Sequence, residues 1–81
     1  MRPKLTNCTP DDLVALFRRL GGFSIKEGGK HTKITHIKTG KATIIARHSR
    51  VDPNIAKSII YGFIIRDLGY DTEKVYTNLK C

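Results

Sequence analysis

Closely spaced glycines constrain this chain more than any other feature of its sequence. Gly21-Gly22, Gly28-Gly29 and Thr39-Gly40 break it into short pieces, because glycine turns the backbone where other residues are strained. Between the first two breaks, Phe23 to Glu27 alternates, with Phe23 and Ile25 on one side and Ser24 and Lys26 on the other. From His31 to Lys38 the β-branched residues Thr32, Ile34, Thr35 and Ile37 favour a second strand, and Lys41 to Arg47, with Thr43, Ile44 and Ile45, a third. Two short glycine turns joining three strands predict an antiparallel meander.

Helices flank the meander. Thr9 suits an N-cap, Pro10 the first helical position, and Asp12 the acidic partner of a capping box. Leu13, Leu16, Phe17 and Leu20 follow on one face, and Gly21-Gly22 ends the helix. Asp52-Pro53 opens a second helix by the same logic, with Ile55, Ala56, Ile59, Ile60, Phe63, Ile64 and Leu68 as its apolar side and Gly69 as its stop. Gly62 inside it costs about 1 kcal/mol relative to alanine and marks either close packing or a break. Asp71-Thr72-Glu73 begins a short last helix through Val75 and Leu79. The expected class is α+β, in the order α-β-β-β-α with an added C-terminal helix. The two long helices cover one sheet face and leave the other for solvent or a ligand.

The 81 residues form a single domain, residues 1–81, with no internal repeat or linker. A domain of this size is stable by only about 5 kcal/mol, so an active site must be shallow. Cys8 and Cys81, near opposite ends and without metal-ligand spacing, read as free thiols of a reducing compartment, with a disulfide as the alternative. Met1-Arg2-Pro3-Lys4 has no apolar run behind it, so no secretory signal is expected and the cytoplasm is the expected location.

Fifteen Lys and Arg against seven Asp and Glu give a formal charge of +8. Such a balance points to a polyanionic partner: nucleic acid, an acidic protein or an anionic membrane. Membrane insertion is not expected, because no apolar run approaches the ~20 residues a span needs. The distribution says more than the sum. No Asp or Glu occurs between Gly28 and Val51, whereas Lys30, Lys33, Lys38, Lys41, Arg47 and Arg50 do, with all three histidines, His31, His36 and His48. Lysines that protect a sheet edge from aggregation explain one or two of these cations. They do not explain the missing acids, which suit phosphate binding.

His31 directly follows Gly28-Gly29-Lys30, at the mouth of a turn, with Lys30 and Lys33 near enough to hold a phosphate. Imidazole exchanges its proton near neutral pH, so it can take one from a ribose 2′-OH or give one to a leaving 5′-oxygen. Neighbouring cations stabilise the charge that develops on the phosphate. By itself, a histidine beside a glycine turn is more often plain polar surface. His36 reads as a cross-strand or surface residue, and His48 as an RNA contact or an assistant to His31. No carboxylate or cysteine accompanies the three histidines, and cationic surroundings repel a metal ion, so neither metal nor cofactor is expected.

The run Leu20-Gly21-Gly22-Phe23, then Gly29-Lys30-His31, Ala46-Arg47-His48 and the Asp52-Pro53 helix resembles the HicA toxins. The resemblance spans roughly Asp11 to Tyr70, and its specificity lies in the order and spacing of short motifs. It implies a double-stranded-RNA-binding-domain-like fold and a metal-independent ribonuclease toxin that cleaves mRNA and is blocked by a HicB-like antitoxin. It further implies that His31 is the catalytic histidine and that His48 matches a second family histidine. Lys30 stands where the family usually has serine, removing a hydroxyl and adding a phosphate-binding charge. The second helix is longer than the family's, and the added C-terminal segment would serve dimerisation or antitoxin binding.

The expected RNA-binding set is Lys30, Lys33, Lys41, Arg47, His48 and Arg50, with His31 catalytic. The alternative is a non-catalytic module that grips double-stranded RNA by its shape and 2′-OH groups. A third reading is a basic adaptor for an acidic protein.

Overall fold

A computed structural model describes residues 8–47 and 51–79. The element order is α1 (Pro10–Leu20), β1 (Phe23–Glu27), β2 (His31–His36), β3 (Ala42–Ala46), α2 (Pro53–Lys57), a π-helical segment (Ser58–Asp67) continuing α2, and α3 (Thr72–Asn78). The strands form one antiparallel sheet in the order β1-β2-β3, so the fold is α+β with the expected sequence of elements.

Local chemistry sets the helix starts. The Thr9 hydroxyl accepts from the Asp12 N–H at 3.1 Å, and the Asp12 carboxylate accepts from the Thr9 N–H at 3.0 Å, closing the capping box. Asp52 accepts from the Asn54 N–H at 2.8 Å and Asp71 from the Lys74 N–H at 3.1 Å. Gly69, in the left-handed region at φ 74°, ends the second helix and lets the Tyr70 N–H reach the Ile64 carbonyl at 3.1 Å.

The long second helix differs from expectation in its winding. From Ser58 it closes wider turns, with the Leu68 N–H donating to the Phe63 carbonyl five residues back at 3.0 Å. This winding still buries Ile59, Ile60, Phe63 and Ile64 together. Gly62 marks neither close packing nor a break: the helix runs through it, and a Cβ there would meet only the Arg66 side chain at 3.7 Å.

One core joins Leu13, Leu16 and Phe17 of α1 to Ile34 and Ile45 of the sheet and to Ile60 and Ile64. The apolar residues of the last segment, Val75 and Leu79, are buried in that same core. Tyr76 donates to the Tyr61 hydroxyl at 2.7 Å, and Arg19 to the Asn78 carbonyl at 3.0 Å.

Three expectations need correction. β2 ends at His36 rather than Lys38, because the Gly40 N–H folds back to the His36 carbonyl at 2.8 Å and begins the turn at Ile37. His36 is the cross-strand residue expected, opposite Phe23, but not a surface one: it is 8% exposed, packed against Phe23 and Tyr70, and its Nδ1 lies 2.8 Å from the Thr39 hydroxyl. Cys8 is buried and disulfide-bonded, not a free thiol, which removes the argument from thiols to a reducing compartment. Cys81 lies outside the described residues. Among the described residues no helix is long and apolar enough to cross a membrane.

Candidate nucleic-acid interface

Side chains alternate across a strand, so the pairing register sorts them onto two faces. Phe23, Ile25, Thr32, Ile34, His36, Thr43 and Ile45 lie on the side that meets the helices. The open face carries Ser24 and Lys26 from β1, His31, Lys33 and Thr35 from β2, and Ala42, Ile44 and Ala46 from β3. Lys26, Gly28, His31, Lys33 and Ile44 line a shallow cavity of about 260 Å³ there.

The turn that presents His31 is tightly held. The Gly28 N–H donates to the His31 carbonyl at 2.8 Å, leaving Gly29 and Lys30 as the tip of the hairpin. A Cβ on Gly28 would stand 3.1 Å from that carbonyl, so a larger residue there would push the turn apart by a few tenths of an ångström. Arg47 secures the turn from the end of β3. Its N–H donates to the Lys30 carbonyl at 2.9 Å and its guanidinium to the Gly28 carbonyl at 3.1 Å.

Electrostatically the face is one-sided. Lys26 and Lys33 are directly opposed across the β1–β2 ladder, an arrangement that like charges disfavour. Glu27 is the nearest acid in sequence, but it lies on the helix side and pairs with Arg18 at 3.7 Å. The other ion pair among the described residues, Arg66 with Asp67 at 3.6 Å, leaves the open-face lysines uncompensated. His31 is exposed, and among the described residues its imidazole has no hydrogen-bond partner, so nothing there fixes its orientation. No group of three His, Cys, Asp or Glu comes together among the described residues.

The expected residues separate accordingly. His31 and Lys33 share the cavity, and Arg47 and Lys30 stand at its hairpin end. Lys30 is exposed at the tip but does not line the cavity. Lys41 sits at the opposite end of the sheet, beside His36 and roughly 16 Å along the strand from His31, where its ammonium donates to the Asp67 carbonyl at 3.3 Å. His48 and Arg50 lie outside the described residues.

Lys26 and Ile44 were missed by reading charge along the chain, because Lys26 precedes the acid-free segment and Ile44 is apolar. A two-residue Gly29-Lys30 turn would have revealed Lys26, since it pairs Gly28 with His31 and sets Lys26 against Lys33, whereas Ile44 follows from the β2–β3 register that sets it against Lys33. Compared with protein-family models, with curated proteins and with solved structures, the chain matches none.

Proposed function

We propose that the open sheet face holds the sugar-phosphate chain of RNA and that His31 moves the proton in its cleavage. The protein would then be a metal-independent endoribonuclease with a double-stranded-RNA-binding-domain-like fold. One observation carries the reading: an exposed imidazole shares a cavity with two directly opposed lysines that no acid among the described residues pairs with. Lys26 and Lys33 offer a phosphate two charge-assisted hydrogen bonds and lose their mutual repulsion when it binds. His31, held at the cavity edge by the Gly28 turn, then lies beside the ribose. There it takes the 2′-OH proton as that oxygen attacks phosphorus to form a 2′,3′-cyclic phosphate, and the P–O5′ bond breaks with the 5′-oxygen taking its proton from water. The lysines balance the charge on the crowded phosphate.

The order of elements and the glycine turn before His31 agree with the resemblance to the HicA toxins. The biological role proposed is therefore that of an mRNA-cleaving toxin, and the proposed protein partner is a HicB-like antitoxin covering this cationic face. Incubating purified protein with RNA in EDTA tests the reaction: fragments are expected, and RNA that stays intact contradicts it.

A second reading, an RNA-binding module without catalysis, is favoured by the absence of an orienting partner for His31 among the described residues. It predicts RNA that is bound with strong salt dependence and never cut.

A further inference from the structure

The three strands present different chemistry to the open face. In register, Lys26, Lys33 and Ile44 form a row across β1, β2 and β3, each about 4.8 Å from the next. β1 and β2 thus supply the cations, whereas β3 supplies only Ala42, Ile44 and Ala46 on this side. The two alanines leave Ile44 standing above its surroundings on the edge strand, 58% exposed and beside the lysines of the neighbouring strands. A lone exposed isoleucine is ordinary. This one lines the same cavity as the two lysines and His31, so the cavity is cationic on one side and apolar on the other.

We propose that Ile44 seats the base of an unpaired nucleotide whose phosphate lies between Lys26 and Lys33. The inference rests on the reading of this face as an RNA site and states which RNA it takes. A phosphate uses the lysines and gains nothing from Ile44. A duplex keeps its base faces stacked inside and offers a flat sheet its phosphates, riboses and base edges. An unpaired base exposes an apolar ring face next to its own phosphate, matching both halves of the cavity. A second copy of the chain fits poorly, because it would bring the same lysines against these. The ligand class is therefore single-stranded RNA, with one base resting on β3.

The test uses the full chain and two uncleavable probes, uridine 5′-monophosphate and ribose 5-phosphate, titrated by NMR. The nucleotide is expected to shift the Ile44 methyl resonances and to bind about tenfold more tightly than the sugar phosphate. Ile44→Ala, at an exposed position outside the core, should remove that difference and leave ribose 5-phosphate binding unchanged. A 2′-O-methyl single strand should likewise outbind its duplex about tenfold, and lose that preference in Ile44→Ala. Equal binding of the two small probes, equal binding of strand and duplex, or a dimer that Ile44→Ala dissolves would overturn the base seat. Because no probe is cut, the seat stands or falls separately from catalysis. Wild-type cleavage that Ile44→Ala leaves undiminished would remove the seat while sparing the ribonuclease reading.

Discussion

Lys26 and Lys33 face one another directly across the β1–β2 ladder, on the side of the sheet where no described acid offsets them. Opposed like charges cost about 0.2–1 kcal/mol, so on the proposed reading this pair would trade stability of the free protein for affinity toward an anion. Lys33→Gln should raise Tm by roughly 1–6 °C at low ionic strength, and the gain should shrink in high salt. RNA affinity should fall in the same variant, with a salt slope shallower by about one. Paired melting curves and salt titrations check both, and a lower Tm in Lys33→Gln would mean that the lysines do not repel.

Arg47 carries charge, yet its guanidinium is engaged with the Gly28 carbonyl at 3.1 Å, behind the turn that presents His31. In the proposed reaction it would act as a positioning residue. Arg47→Lys keeps the charge and loses the planar fork, so cleavage should slow by about tenfold while RNA affinity and salt slope stay near wild type. Single-turnover rates beside equilibrium binding separate the two effects. A variant weakened in binding alone would assign Arg47 to the phosphate instead.

Two glycines should respond oppositely to alanine. Gly28→Ala places a methyl 3.1 Å from a backbone carbonyl and should cost about 1–3 kcal/mol, read by denaturant unfolding. Gly62→Ala meets a side chain at an ordinary 3.7 Å and should stabilise by about 0.5–1 kcal/mol. Loss of stability in Gly62→Ala would show that the wide helical turns need glycine.

The Cys8 disulfide should also be visible in stability. Reduction should cost about 2–5 kcal/mol, lowering Tm reversibly. Unfolding curves that coincide with and without reductant would contradict it.

What the sequence revealed was what neighbouring residues decide. Thr9 and Asp12 form their capping box within four residues, and β1 runs from Phe23 to Glu27 as its alternation predicts. Distant partners were harder to read. His36 is buried because Tyr70, far along the chain, packs against it, and β2 stops early because Gly40 folds back on it. The winding after Ser58 was invisible, since Ile59, Ile60, Phe63 and Ile64 share a face in either helical geometry. At the site, the charge pattern led to Lys33 and His31, whereas Lys26 and Ile44 follow only from register. Two cysteines near opposite ends gave no sign that Cys8 is bonded.

Cleavage of single-stranded RNA in EDTA by wild type and by His31→Ala, at saturating protein and in a single turnover, tests the proton-transfer role most directly. His31 is exposed at the start of β2, so the variant should melt with wild type and bind RNA within about twofold of it. Its cleavage should be slower by about 10²–10⁴. A His31→Ala protein that cuts at the wild-type rate would contradict the account.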